Sequence, residues 1–256
     1  MDIRILGAHN SESAETSCVT FIIDGTLAVE AGGLTSRLTI QEQQKIDAVI
    51  LTHHHLDHIR DIPAIALNFF RLGASLDVYS TARVSDIIKN HMLNKVVYPE
   101  FQNIPENKPT LNFLEIEPYG LQWIDGHGIL PVPVNHAGES VGYQISDKQG
   151  RVLFYTGDTG PDLAMCWRHI SPQLLIIEVT MVNDDEEFAR QTGHLTARLL
   201  EQELIRFREL KGYLPEILAV HMDAVLEPQI RKQLAALTEH LQVPITVAQE
   251  NMRLKI

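Results

Sequence analysis

The sequence has no long apolar run, little cysteine and no leader-like N-terminus. No apolar stretch in its 256 residues approaches the roughly 18–20 residues that a membrane-spanning helix needs. The first residues lack the basic stretch and apolar core of a signal peptide. Two cysteines, Cys18 and Cys166, cannot form a disulfide framework. These absences predict a cytoplasmic protein without membrane contact. A hydrophobic content of 45% is ordinary for a globular protein with a sizeable core, and 256 residues fit one large domain or two small ones.

Positive charge is also scarce. The chain carries 21 Lys+Arg against 33 Asp+Glu, which gives a net charge of −12. Because this charge repels phosphate backbones at long range, a large nucleic acid is not the expected partner. A small anionic substrate, attracted by bound metal ions, remains compatible with it. Histidine, in contrast, is abundant, with 12 residues whose positions indicate a function.

The apolar pattern predicts an α/β fold in which strands come first and helices alternate with strands later. One helix is expected over 62–72, with Asp61 as its N-cap and Gly73 as its stop, and an irregular loop is expected over 91–109. This order of elements predicts two sheets sandwiched between helices. The expected strands are 3–6, 19–23, 27–29, 46–51, 112–116, 129–134, 141–145, 152–155, 174–177, 217–220 and 245–247.

The strongest local signal directly follows the apolar run 46–51 and contains the pattern His-x-His-x-Asp-His. Its residues are Thr52-His53-His54-His55-Leu56-Asp57-His58. Imidazole nitrogens and carboxylate oxygens are good ligands for zinc, manganese and iron, whereas a solvated polar loop gains nothing from packing them together. A short loop at this strand end can direct His53 and His55 to one metal ion, and Asp57 and His58 to a second.

Three more candidate ligands follow other apolar runs. They are His136, Asp158 and His221. A lone histidine after a strand is more often a cap or a satisfied polar group, but the ends of neighbouring strands meet along one edge, where loops build sites. Gly157, directly before Asp158, allows close approach of the backbone. We therefore expect these three side chains to join the 53–58 motif.

In the order of these motifs, the sequence resembles the metallo-β-lactamase superfamily over essentially the whole chain. The resemblance implies a single domain over residues 1–256. It also implies an αββα sandwich, two mixed sheets between helices, with two divalent metal ions at the sheet edges. Zinc is the first expectation for both ions, and manganese and iron are the alternatives, since His and Asp ligands suit all three. The resemblance implies that the first ion is bound by His53, His55 and His136, that the second is bound by Asp57, His58 and His221, and that Asp158 bridges them.

The sequence departs from the superfamily at one upstream position, where the usual Asp-x-Gly is Glu30-Ala31-Gly32. We interpret this segment as structural support. Superfamily members that bind or reduce oxygen at two irons typically carry a glutamate at the position of His55, so the histidine is typical of the hydrolase branches. A non-hydrolytic di-iron protein that binds oxygen or senses redox state stays an alternative.

Two further segments resemble phosphodiesterase branches of the superfamily. Gly142-Tyr143 follows the third metal histidine, while Glu178 and Gly193-His194-Leu195-Thr196 are similar to segments of class II cyclic-nucleotide phosphodiesterases and of ribonuclease Z. His194 precedes an expected helix, where free backbone N–H groups favour an anion, so it is expected to contact a phosphate oxygen or protonate a leaving alkoxide. Glu178 either orients His194 or only ends a strand. The catalytic candidates are Asp57, His194 and Glu178.

Ribonuclease Z, the tRNA 3′-end endonuclease, typically carries a long tRNA-clamping arm between the third histidine and the bridging aspartate. Only 21 residues separate His136 from Asp158, which leaves the loop 91–109 as the one candidate for such an arm. The expected function is therefore a binuclear phosphodiesterase that cleaves a cyclic nucleotide or similar small phosphodiester with a metal-bridging hydroxide. A ribonuclease Z-like endonuclease is the alternative, and assembly as a homodimer stays open.

Overall fold

In a computed structural model that describes residues 1–256, two seven-stranded mixed sheets face each other between helices, which confirms the expected αββα sandwich. The strands are β1 Asp2–Gly7, β2 Thr20–Ile23, β3 Leu27–Val29, β4 Ala48–Ile50, β5 Leu76–Ser80, β6 Leu111–Glu115, β7 Gln122–Ile124, β8 His127–Pro133, β9 Val141–Ser146, β10 Val152–Tyr155, β11 Leu174–Glu178, β12 Glu216–Val220, β13 Ile245–Val247 and β14 Arg253–Lys255. The α-helices are α1 Leu34–Arg37, α2 Ile40–Gln43, α3 Leu56–Ile59, α4 Ile62–Arg71, α5 Ala82–Ile87, α6 Ala164–His169, α7 Glu186–Thr192, α8 Ala197–Lys211 and α9 Glu227–Leu241.

The two sheets have the same arrangement of antiparallel and parallel strands. The first has the order β14-β1-β2-β3-β4-β5-β6, antiparallel from β14 to β3 and parallel from β3 to β6. The second has the order β13-β12-β11-β10-β9-β8-β7, antiparallel from β7 to β10 and parallel from β10 to β13. Parallel neighbours end at the same edge, so β10, β11 and β12 bring their C-terminal residues together.

Buried apolar side chains form three layers between and outside the sheets. The layer between the sheets has 24 buried residues, the layer under the helices that precede β6 has 21, and the layer under the helices that follow β10 has 25. All five residues of β11 are buried because helices cover one face of its sheet and the other sheet covers the second face. The long apolar runs of the sequence therefore reflect strands that are buried on both sides.

The differences from the sequence analysis lie in short elements. The edge strand β7 has three residues and an exposed Trp123, so it leaves no apolar run to detect. Asp61 does precede α4, but its carboxylate accepts a hydrogen bond of 2.7 Å from the Thr35 backbone N–H and does not cap the helix. The expected loop 91–109 begins inside a π-helical turn over Ile88–Met92 and is irregular beyond it.

No helix combines the length and the apolar character that crossing a membrane requires.

Candidate metal centre

Four strand ends bring the predicted ligands together. His53 follows β4, His136 follows β8, Asp158 follows β10 and His221 follows β12. The 53–58 motif is only partly the loop that the sequence predicted, because its second half forms the short helix α3, which carries Asp57 and His58. A single helical turn places these two side chains beside the histidines that precede them.

Close backbone approach shapes the site at two positions. Gly157 has φ +61°, and a Cβ there would lie 2.8 Å from the Thr52 hydroxyl oxygen, so the glycine is required as predicted. His221 also has a positive φ, of 62°, which is uncommon for a residue with a side chain. Its backbone N–H donates a 2.6 Å hydrogen bond to the Ala8 carbonyl, and this contact with the segment after β1 holds the unusual conformation.

The first group of possible ligands surrounds one oxygen of Asp158. Asp158 Oδ2 lies 3.6 Å from His53 Nε2 and 3.8 Å from His136 Nε2. His136 Nε2 is in turn 3.2 Å from His55 Nδ1. One ligand atom from each of these four side chains lies within 4.8 Å of the others, which is the spacing that a single metal ion needs.

The second group surrounds the other oxygen of the same carboxylate. Asp158 Oδ1 lies 3.3 Å from both His58 Nε2 and His221 Nε2. Asp57 Oδ2 is 3.3 Å from His58 Nε2 and 3.2 Å from His221 Nε2. The two groups match the division that the superfamily resemblance implies, and the two oxygens of Asp158 face different groups.

The donor atoms of the site fit divalent metal ions. His53 Nε2, His58 Nε2 and Asp158 Oδ1 are buried and have no hydrogen-bond partner in the protein. Buried polar atoms without partners are rare because each one costs the free energy of its lost hydration. Coordination of metal ions would satisfy all three atoms, and the combination of imidazole and carboxylate is typical of zinc, manganese or iron sites.

Behind the ligands, hydrogen bonds orient the imidazole rings. His136 Nδ1 is 2.8 Å from the Gly193 carbonyl oxygen, and His221 Nδ1 is 2.8 Å from the Thr180 hydroxyl. His53 Nδ1 lies 3.0 Å from the Thr52 hydroxyl. Contacts of this kind on the far ring nitrogen leave Nε2 free for a metal ion.

Glu30 is the clearest residue whose role the sequence analysis did not define. Its side chain is fully buried, its carboxylate Oε1 lies 3.2 Å from His58 Nδ1, and it also accepts a hydrogen bond from the Thr52 hydroxyl. The carboxylate therefore stands behind two imidazoles of the site. The departure from Asp-x-Gly keeps a carboxylate at this position, and that was the one signal in the sequence for a role beyond structural support.

We expect Glu30→Gln to weaken metal binding without unfolding the protein. Glutamine has nearly the same volume but no charge to stabilise the His58 ring, and loss of such a supporting carboxylate typically lowers metal affinity by about 10–100-fold. Competition with a chromophoric chelator measures the affinity, and Glu15→Gln, at an exposed position, is the control. Equal affinities for both variants and the unaltered protein would show that Glu30 does not support the ligands.

His194 and Glu178 lie beside the second group. His194 Nδ1 is 2.8 Å from Glu178 Oε1, and the His194 ring stacks at 5.7 Å between centroids on the His221 ring. Glu178 ends β11 and also accepts hydrogen bonds from the Thr180 hydroxyl and from the backbone N–H of Thr159. Glu178 therefore does more than end a strand, because its carboxylate also contacts His194. Its side chain is fully buried.

The electrostatics follow from burial and close charges. Burial raises the pKa of the Asp158 carboxyl, but the imidazoles of His221 and His58 outweigh burial and hold it well below its usual range. Burial lowers the pKa of His194, but the Glu178 carboxylate outweighs burial and raises it to about 9. Before metal binds, His194 is therefore a proton-carrying imidazolium at neutral pH.

The site opens to solvent through a cavity of about 350 Å³. His55, Asp57, Asp158, His194 and His221 line one side of this cavity. The other side carries residues that the sequence analysis did not select, namely Asn10, Cys18, Leu56 and Arg60. Leu56 and Arg60 are close to the 53–58 motif in the chain. Asn10 and Cys18 become neighbours of the ligands only when the segment after β1 packs against α3.

Residues 20–222 match the family described as Beta-lactamase superfamily domain. The chain belongs to this family. The match contains every candidate ligand from His53 to His221 and both residues of the Glu178–His194 pair. The resemblance that the motifs indicated is thereby confirmed.

Curated relatives are similar to parts of the chain. A 3′,5′-cyclic-nucleotide phosphodiesterase of Aliivibrio fischeri is 24% identical over 75% of this chain and 66% of its own length. A ribonuclease of Thermus thermophilus is 32% identical over 46% of this chain and 27% of its own length. A UPF0173 metal-dependent hydrolase of Polynucleobacter asymbioticus is 27% identical over 57% of this chain and 54% of its own length. The chain thus spans two thirds or less of these relatives.

Solved structures share the fold over the full chain. Unliganded yeast PDE1 superposes with a TM-score of 0.85 at 16% identity, covering 100% of this chain and 99% of that one. The short form of human tRNase Z superposes with a TM-score of 0.71 at 17% identity, with the same coverage. At these identities the likeness establishes the fold alone.

Proposed function

We propose that the chain is a metal-dependent hydrolase that acts as a phosphodiesterase on a cyclic nucleotide or similar small phosphodiester. The observation that carries the proposal is the position of Asp158, whose two oxygens face two separate groups of possible ligands. This geometry supports two divalent ions, with zinc as the first expectation. When bound, such ions supply a hydroxide nucleophile at neutral pH and neutralise charge on phosphoryl oxygens.

The side chains that line the cavity have distinct parts in this proposal. Asp57 is partly exposed, with 28% of its side chain accessible, so it borders both the ions and the substrate. His194 uses Nδ1 for Glu178, which leaves Nε2 to donate a proton to the leaving oxygen. Glu178 fixes the orientation of His194 and favours its protonated form.

A small substrate fits the surroundings of the site better than tRNA does. The 21 residues between His136 and Asp158 form β9, β10 and short connections, so they contain no clamping arm. The loop 91–109 is anchored to the apolar layer by the buried Leu93 and Phe101. The net charge of −12 also opposes an approaching polyanion.

Substrate comparison tests the proposal. Metal-loaded protein is incubated with 3′,5′-cyclic nucleotides, with a 3′-extended tRNA precursor and with bis(p-nitrophenyl) phosphate. We expect cleavage of a cyclic nucleotide and of the p-nitrophenyl ester. Cleavage of the tRNA precursor alone would establish the ribonuclease Z alternative. Two irons with an oxygen-dependent absorption band, and no esterase activity, would establish the di-iron alternative.

A further inference from the structure

A second cavity, of about 300 Å³, has a different set of lining residues from the cavity at the candidate metal centre. We call it the side cavity. It is formed by the residues after β5, by the end of β6 with the turn that follows, and by the two ends of the β8–β9 connection. That connection also carries His136. At its tip, a Cβ on Gly138 would lie 3.4 Å from Arg83 Nε and 3.6 Å from His54 Cε1, so the connection closes against the 53–58 motif.

The interior of the side cavity has apolar walls. Ile116, Val134 and Val141 contribute apolar surface. Thr81 also lines the cavity and is 5% exposed, while its Oγ1 is buried within the protein and has no hydrogen-bond partner there. A concave space with mainly apolar walls and a few polar groups is typical of a preformed small-molecule site.

The rim of the side cavity is acidic. Glu115, Glu117 and Glu139 line it, all three are exposed, and none forms an ion pair. Arg83 also forms no ion pair and stands on the side towards the metal centre. The three carboxylates at the rim therefore repel an anion and accept hydrogen bonds. Arg83, on the side towards the metal centre, attracts an anion.

We propose that the side cavity binds the base of a nucleotide substrate, and specifically a purine that carries an exocyclic amino group. This inference rests on the proposed function and names the part of the substrate remote from the reacting phosphorus. A volume of about 300 Å³ accommodates a bicyclic base between apolar walls. Carboxylates at the rim accept hydrogen bonds from amino and ring N–H groups.

The charge distribution also indicates which ligands the side cavity rejects. A second phosphate placed at the rim would meet Glu115, Glu117 and Glu139 without a compensating cation. An oligonucleotide carries such a phosphate next to each base, whereas a mononucleotide has none beyond the phosphate held at the metal centre. The side cavity therefore selects a single nucleotide over a longer chain.

Nucleotide binding to the metal-loaded protein tests the inference by calorimetry. Guanosine 5′-monophosphate is compared with inosine 5′-monophosphate, and adenosine 5′-monophosphate with purine riboside 5′-monophosphate, because each pair differs by one amino group. We expect the amino-bearing member of at least one pair to bind about 10–100-fold more tightly, as a hydrogen bond to a charged group predicts. Ribose 5-phosphate reports on binding at the metal centre alone.

Substitutions in the side cavity test whether the preference for the amino group arises there. We expect Glu115→Gln, Glu117→Gln and Glu139→Gln in combination to reduce the preference for the amino group, since an amide oxygen still accepts a hydrogen bond but carries no negative charge. Ala82→Trp should fill the side cavity and weaken the binding of all four nucleotides, while the affinity for ribose 5-phosphate should stay unchanged. Glu106→Gln, at an exposed position outside the side cavity, is the matched control.

Two outcomes overturn the inference. One is equal affinity within both nucleotide pairs, and the other is a preference that survives both the triple substitution and Ala82→Trp. A different outcome would contradict the proposed function alone: the nucleotides bind with the expected preference, but no cyclic ester is cleaved.

Discussion

Asp158→Ala is expected to leave at most one metal ion bound and to abolish phosphodiesterase activity. Asp158 is the residue whose Oδ1 and Oδ2 face the two different ligand groups, at 3.3 Å and 3.6 Å from the nearest imidazole nitrogens. Without it, one group keeps three histidines and the other keeps two histidines with Asp57. The loss also removes the negative charge that balances the cations. Metal stoichiometry by elemental analysis measures the effect.

The same variant should remain folded. Three apolar layers surround the two sheets, and a chain of this size buries enough apolar surface to fold without a metal. Circular dichroism checks the fold, and Asp184→Ala, at an exposed position, is the control that should keep two ions. Two ions bound in Asp158→Ala would show that the bridging assignment is wrong.

His194→Ala is expected to retain two ions and near-normal substrate binding while losing turnover. General acid–base catalysis typically contributes about 10²–10⁴-fold, so kcat on a cyclic nucleotide should fall by that factor. A p-nitrophenyl ester needs little protonation of its leaving group, so the defect should shrink on that substrate. Steady-state kinetics on both substrates separates kcat from KM, and His91→Ala, at an exposed position, is the control.

The pattern across the two substrates identifies the role of His194. An equal loss on both substrates would mean that His194 binds the phosphate and does not donate a proton. No loss on either would mean that His194 is only a polar residue ahead of α8. Glu178→Gln should reproduce part of the defect and move the pH profile, because the Glu178 carboxylate raises the pKa of His194. In its absence the protonated form is lost at lower pH.

The sequence by itself determined the fold class and the candidate ligands. Continuous apolar runs such as 174–177 mark strands that are covered on both faces, and the residues that follow such strands meet at one edge. His53, Asp158 and His221 could be selected for this reason, since a local pattern of strand followed by ligand carries the information. Short edge strands such as β7 were missed, because three residues with an exposed face leave no periodic signal.

The tertiary structure alone decided what stands around the ligands. Glu30 lies behind His58, and Glu178 holds His194, through contacts between segments 28 and 16 residues apart in the chain. Asn10 and Arg60 share a cavity wall only because the segment after β1 packs against α3. Such contacts depend on how sheets and helices pack. Hydrophobic periodicity specifies which face of an element is buried, but it does not specify which distant side chain that face will meet.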